Sequence, residues 1–219
     1  MVEIFSMVVS APCRAVLLKG TANALNVEHS IKNINLMKQE QMAEDFVAMN
    51  PAHVVPTIKD GDFVLWESRA ILQYLCNKYD KENKFYPVDA QARARVDYLL
   101  NFDLGTLYKA IGEYVYPIWL YKQAPDAEKL KAMEAKFEFI EQHLLKGAYL
   151  NGDSPTIADI SISCSLYVPT FVGFKFCPEK YPKITAFREK MATFANNEEL
   201  SAQIAECMKA MMAAEEKSE

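Results

Sequence analysis

Near the start of the chain, Ser10-Ala11-Pro12-Cys13-Arg14 sets a hydroxyl, a thiol and a guanidinium within five residues. An apolar run from Ile4 to Val9 precedes them, and Val16, Leu17, Leu18 and Leu25 follow in a helical stretch. A hydroxyl is therefore expected where a strand ends and a helix begins. Backbone N–H groups converge at such a junction, and the helix dipole favours negative charge there. Trp66-Glu67-Ser68-Arg69-Ala70-Ile71 repeats the arrangement of strand, polar residues and helix. Two helix starts that carry polar side chains point to a site for an anionic small molecule. Position alone also describes Ser10 as an N-cap. Cys13, at the same helix start, has the position of a low-pKa thiol. Only one cysteine stands there, however, where a dithiol needs two.

The elements that must hold these residues are legible in outline. Residues 2–9 read as a strand, 12–25 as a helix, 28–33 as a second strand and 42–49 as a short helix ended by Asn50-Pro51. Residues 57–59 and 63–65 flank Asp60-Gly61, a hairpin signal. Residues 68–79 are helical, with Ile71, Leu72, Leu75 and Tyr79 on one face. The order βαβ-α-ββα predicts a small mixed sheet with helices on its faces, forming a first domain over residues 1–80. Residues 81–87 read as a linker, and 88–219 as an all-helical second domain.

Within that second domain, residues 88–121 are expected to form one long helix or two, bent at Gly105, Gly112 and Pro117. Residues 127–146 carry Leu130, Met133, Phe137, Ile140 and Leu144 on one stripe. Thr156 and Asp159 have capping-box spacing ahead of a helix with little charge, which should lie at the domain's centre. Further helices are expected over 183–194 and 198–214.

Composition narrows the class. The chain has 219 residues, 51% hydrophobic content and a net charge of −5 without a basic block, so nucleic acid is not an expected partner. No apolar run reaches the roughly 18 residues of a membrane span, and no secretory signal is expected. Five cysteines at 13, 76, 164, 177 and 207 form no CxxC pair, and the three histidines lie far apart. Free thiols in a reducing cytoplasm and the absence of a metal site are the expectations.

Five segments in order resemble the cytosolic glutathione transferases, and the insect delta class in particular. They are Ser10-Ala11-Pro12-Cys13-Arg14, Asn50-Pro51-Ala52-His53-Val54-Val55-Pro56-Thr57, Asp60-Gly61-Asp62-Phe63, Trp66-Glu67-Ser68-Arg69-Ala70-Ile71 and Phe102-Asp103-Leu104-Gly105-Thr106-Leu107-Tyr108. The resemblance spans nearly the whole chain. It implies a thioredoxin-like α/β first domain that binds glutathione, an all-α second domain with a hydrophobic substrate pocket, and a homodimer. It also implies that glutathione is a co-substrate, with no other cofactor, and that hydrophobic electrophiles are conjugated to it, with peroxidase activity as a side reaction.

By this resemblance Ser10 is the catalytic residue, donating its hydroxyl proton to the glutathione sulfur. The chemistry needs such a donor. A free thiol with a pKa of ~8.5 is only about 3% ionised at pH 7, and the thiolate is the nucleophile. Lowering that pKa by ~2 units takes ~2.7 kcal/mol of preferential thiolate stabilisation. One hydrogen bond to a charged group contributes ~1.5–3 kcal/mol, and a helix N-terminus ~0.3–1 kcal/mol. A hydroxyl on a helix start is therefore sufficient without a general base.

The remaining site residues follow in the same way. The resemblance implies a cis Val55-Pro56 bond, with the Val55 backbone pairing with the tripeptide as an added strand. Val54 flanks this turn. His53 reaches the glycine carboxylate. Ser68 takes the γ-glutamyl carboxylate and Glu67 the ammonium, since a zwitterion needs a donor and an acceptor side by side. Arg69 and Asp103 form a supporting charge network. Tyr108, Ile111, Tyr116, Trp119 and Leu120 line the hydrophobic pocket, and Met208, Met211 and Met212 near the C-terminus close it.

The chain departs from the class at three places. Val8-Val9 precede Ser10 where the class usually has a glycine and aromatics. Gln41 stands where many members carry a histidine that helps bind the glycine end, and methionines replace phenylalanines common at the tail. Two rival functions share the same fold: a non-catalytic ligand carrier, and a glutaredoxin-like oxidoreductase working through Cys13.

Overall fold

The computed structural model describes residues 1–17, 21–194, 202–204 and 206–207. Two compact units organise it, Met1–Lys81 and Glu82–Ala192, and the described residues after Ala192 group with the first.

The first unit is built on a four-stranded mixed sheet. Strand β1 (Val2–Ser6) leads into α1 (Ala11–Leu17) and α2 (Thr21–Ala24), and the chain returns as β2 (His29–Asn33). Two 3-10 turns, Leu36–Lys38 and Glu40–Met42, precede α3 (Glu44–Met49). The hairpin β3 (Thr57–Asp60) and β4 (Phe63–Trp66) then runs into α4 (Ser68–Tyr79). The sheet order is β2-β1-β3-β4. β1 pairs parallel with β2 and antiparallel with β3, with Ile4 opposite both Ile31 and Ile58. The hairpin turns at Gly61, whose φ of 65° suits a residue without a Cβ.

Alternation along β1 buries Val2, Ile4 and Ser6. Val2, Ile4 and Ile58 pack on Val16 and Leu17 of α1 and on Ile71 and Leu75 of α4. The sheet core thus fixes α1 and α4, the two helices whose first turns carry the candidate polar residues.

The second unit is helical. It comprises α5 (Ala90–Phe102), a π-helical turn (Asp103–Leu107), α6 (Tyr108–Tyr121), α7 (Ala127–Phe139) and a second π-helical turn (Ile140–Leu144). Helix α8 (Ile157–Ser165), a 3-10 segment (Val168–Val172) and α9 (Pro182–Ala192) follow. All nine residues of α8 are buried. Its capping box is formed: Asp159 accepts the Thr156 N–H at 2.8 Å. The break between α5 and α6 is the π-helical turn around Gly105. Pro117 is accommodated inside α6, and its carbonyl takes the Lys122 N–H that closes the helix. The helix expected over 127–146 gives way to the second π-helical turn. There Glu141 turns inward and accepts the N–H groups of Lys183 and Ile184, both at 2.9 Å. A carboxylate from one helix thus caps the N-terminus of another.

One polar cluster ties the hairpin to α4. Asp60 Oδ2 accepts from Lys78 Nζ at 2.6 Å, Tyr79 OH at 2.7 Å and Tyr74 OH at 2.8 Å. Partial burial works against ionisation of Asp60, but the bonds from Lys78, Tyr79 and Tyr74 outweigh it and hold its carboxyl below the ordinary value. The bond to Asp60, with a smaller one to Tyr74, holds the Lys78 ammonium above its ordinary value. A depressed carboxyl stabilises the fold fully above its unfolded pKa of ~3.9, and that contribution is lost as pH falls through the folded value. A raised ammonium contributes fully below ~10.4, and its share is lost as pH rises through its folded value. Urea unfolding midpoints against pH should therefore fall on the acid side in the wild-type chain, and Asp60→Asn should flatten that limb. An Asp60→Asn variant with an unchanged acid limb would show that the cluster does not contribute.

Candidate active site

The strand β1 ends at Ser6, and residues 7–10 form a tight turn closed by the Ser10 N–H on the Met7 carbonyl at 3.0 Å. Ser10 is half-buried at the start of α1, and its carbonyl takes the Arg14 N–H at 3.0 Å. Its Oγ accepts the Cys13 N–H at 3.5 Å. A hydroxyl has one proton and two lone pairs, so this capping contact leaves the proton to donate. Capping and hydrogen-bond donation to an anion are therefore compatible at Ser10.

Cys13 is fully buried, and its Sγ receives the Met7 N–H at 3.5 Å. Burial pushes its thiol above the ordinary value, and the weaker hydrogen bonds from Met7, Ser10 and Ser6 do not reverse this. A protonated thiol closed to solvent is a packing residue rather than a nucleophile.

At the start of α4, Glu67 is exposed and has φ 68° and ψ 101°. Its side chain makes no capping hydrogen bond to α4. A non-glycine residue in this region costs of order 1–3 kcal/mol, which the flanking β4 and α4 impose. Ser68 is buried, and its Oγ accepts from Arg69 Nη1 at 3.0 Å. The Arg69 guanidinium thereby fixes the hydroxyl rotor and leaves its proton to point elsewhere.

Between α3 and β3 lies the loop with His53, Val54, Val55 and Pro56. The Val55-Pro56 bond is cis, His53 has φ 43°, and Val54 and His53 are exposed. The Val54 carbonyl accepts from Asn50 Nδ2 at 3.1 Å and Thr57 Oγ1 at 2.7 Å. Among the described residues, neither the N–H nor the C=O of Val55 enters a hydrogen bond. Gln41, in the Glu40–Met42 turn, is half-buried, and its Oε1 is buried without a hydrogen-bond partner among the described residues.

In the second unit Tyr108 and Tyr116 share a short hydroxyl–hydroxyl bond on one face of α6. Tyr116 stands 6.4 Å from Trp119, and Trp119 lies 4.9 Å from Phe171. Phe171 in turn packs edge-on to Tyr167 at 5.7 Å. Leu120 is exposed, whereas Ile111, three residues on from Tyr108, is fully buried. Gly112, which sequence reasoning takes as a bend, lies inside α6. A Cβ there would meet Tyr116 Cε2 at 3.2 Å, so the glycine permits the ring's close approach. Asp103 is fully buried, and its Oδ2 accepts from Ser161 Oγ at 2.5 Å. Met208, Met211 and Met212 lie outside the described residues.

Sequence reasoning missed Asn50 and Thr57 as site residues, and it missed Phe171 and Tyr167 as extensions of the aromatic row. Asn50 showed only as a helix stop, because its partners are set by the folded loop. Phe171 sits on a 3-10 segment and Tyr167 on the turn just before it, where periodicity does not reveal side-chain direction.

The family model described as the glutathione S-transferase N-terminal domain matches residues 2–77, and that for the C-terminal domain matches residues 103–194. A delta-class glutathione transferase of Nilaparvata lugens is 34% identical, with a TM-score of 0.87, covering 96% of this chain and 100% of its own. The chain belongs to the glutathione S-transferase family. A Bombyx mori glutathione transferase is 31% identical, with a TM-score of 0.86, over 95% of this chain and 96% of its own. An epsilon-class enzyme of the housefly Musca domestica is 30% identical, with a TM-score of 0.87, over 98% of each chain. The transferase thus resembles the insect delta and epsilon enzymes over nearly its full length. Its first unit has the four-stranded thioredoxin-like sheet that the resemblance implies. Neither the carrier nor the Cys13 oxidoreductase reading is favoured by these likenesses.

Thiol reactivity separates the oxidoreductase reading further. Burial pushes Cys76 up as well as Cys13, while Cys177 is exposed. A disulfide reagent should therefore modify Cys177 rapidly in the native transferase and reach Cys13 and Cys76 only on unfolding. Peptide mapping checks this, and fast native labelling of Cys13 would contradict it.

Proposed function

We propose that this transferase activates glutathione as its thiolate at Ser10 and conjugates it to hydrophobic electrophiles in detoxification. The observation that carries the reading is the Ser10 hydroxyl, half-buried at a helix start, capped onto the Cys13 N–H and with its own proton left to donate. Accepting an N–H polarises that hydroxyl and strengthens it as a donor. The sulfur lone pair then attacks an electrophilic carbon, and the displaced electron pair leaves with the leaving group or with the opened bond. A hydrogen-bonded thiolate is nucleophilic already, so the chemistry asks for no metal or prosthetic group.

In this reading Val55 pairs its free backbone groups with the tripeptide, and Val54 and Pro56 frame the turn. His53 and Gln41 take the glycine end, Gln41 as a neutral amide. Glu67 and Ser68 take the ammonium and carboxylate of the γ-glutamyl group, with Arg69 holding the Ser68 hydroxyl. Asp103 supports the second unit from within, through Ser161. Tyr108, Tyr116, Trp119 and Leu120, extended by Phe171, give the apolar electrophile its aromatic surface, and the buried Ile111 backs them.

We further propose a homodimer acting in the cytoplasm. Among the described residues no helix is long and apolar enough to cross a membrane. On α5, Arg95 and Tyr98 are exposed and open to a partner. Phe102 is buried, and the half-buried Arg93 donates its Nε–H to the Pro87 carbonyl at 2.7 Å.

Ser10→Ala tests the central assignment. With a chloronitroarene as electrophile, kcat/KM should fall at least about tenfold at neutral pH, because one charge-assisted hydrogen bond of ~1.5–3 kcal/mol is lost. The pH–rate profile should shift to higher pH. Unchanged kcat/KM and an unmoved profile would remove Ser10 from this role.

A further inference from the structure

We propose that Asn50 is the positioning residue of the glutathione-pairing loop, clamping residues 50–57 with Thr57 and leaving the Val55 N–H and C=O open to a ligand. This rests on the reading of Val55 as the residue that pairs with the tripeptide, and it names the side chain that makes the pairing possible.

Asn50 ends α3 and is 0% exposed. Its backbone N–H goes to the Phe46 carbonyl at 2.8 Å, and its own carbonyl takes the His53 N–H at 2.9 Å. The carboxamide is used at both ends. Nδ2 donates to Thr57 Oγ1 at 2.8 Å and to the Val54 carbonyl at 3.1 Å, while Oδ1 accepts the Ala52 N–H at 2.9 Å. Thr57 Oγ1 donates to the same Val54 carbonyl at 2.7 Å. Groups of Ala52, His53 and Val54 are thus held by one buried residue and one hydroxyl, and among the described residues the Val55 N–H and C=O, between Val54 and Thr57, enter no hydrogen bond.

Only an amide fits this position. It needs two donors on one branch and an acceptor on the other; a carboxylate lacks the donors, and an apolar residue lacks both. Thr57 is also the first residue of β3, in register with Phe5 on β1 and Trp66 on β4. The clamp therefore extends the rigidity of the sheet into the loop. Without it, the loop must order when the tripeptide binds, and that cost falls on affinity. It does not fall on the thiol, because Ser10 stands on the separate β1–α1 junction. Asn50 thus sets glutathione affinity through the loop and leaves the chemical step alone.

The test is steady-state kinetics in glutathione for the full chain and for Asn50→Ala, Asn50→Asp and Thr57→Val, with pH profiles. KM for glutathione should rise about tenfold or more in the Asn50 variants and several-fold in Thr57→Val. At saturating glutathione kcat should stay within about threefold of the wild-type value, with the pH profile unmoved. A folded Asn50→Ala chain with wild-type KM, or one that loses kcat alone, overturns the proposal. Should Asn50→Ala fail to fold, Thr57→Val decides by the same criterion, since it keeps the shape and β-branching of threonine. Calorimetry of glutathione on the wild-type chain comes first. No binding there overturns the reading of the site itself, a failure distinct from an unchanged KM in a variant.

Discussion

A sulfur anion near neutral pH needs a hydrogen-bond donor placed before the sulfur arrives, and in the proposed reading the first unit serves to place one. The candidate donor, the Ser10 hydroxyl, stands on the turn between β1 and α1. The turn is closed by its own backbone bond to Met7. It is reinforced by the buried Cys13, whose Sγ takes the Met7 N–H and whose N–H meets Ser10 Oγ. The sheet core beneath, Val2, Ile4 and Ile58 against Val16 and Leu17, fixes strand and helix relative to each other. Packing thus supplies the preorganisation that a single weak donor requires.

The same economy recurs around the co-substrate segments. Ser68 and the Val54–Pro56 turn each take their orientation from neighbours that are themselves buried. Ser68 is oriented by Arg69, and the Val54–Pro56 turn by Asn50 and Thr57. Glu67 and His53 are held at positive φ between regular elements. In the helical unit, by contrast, side chains meet through rings. Gly112 lets Tyr116 lie close on α6, and Phe171 continues the row from a separate segment. Directional polar contacts suit a fixed co-substrate, whereas a row of aromatic surfaces suits electrophiles of varied shape.

Local signals in the chain foretold most of the architecture. An apolar run marked β1, Asp60-Gly61 marked the hairpin, and Thr156…Asp159 marked the start of the buried α8. Ser10 was legible because strand, hydroxyl and helix are contiguous. What stayed hidden depends on partners far apart or on loop shape. Glu141 caps α9 across 42 positions, and Asn50 acts on a loop whose path sequence does not specify. The π-helical turns at Asp103–Leu107 and Ile140–Leu144 leave the 3.6-residue pattern nearly intact, so periodicity merged them with the helices beside them. Gly112 looked like a breaker because a glycine's packing partner is invisible until the helix forms.

The central claim is that the bound sulfur is anionic because a hydroxyl donates to it. The most direct measurement is the titration of glutathione bound to the wild-type chain, followed by the ultraviolet absorbance of the thiolate. The expected midpoint lies about two units below the ~8.5 of a free thiol. A bound thiol that titrates at the free value would contradict it.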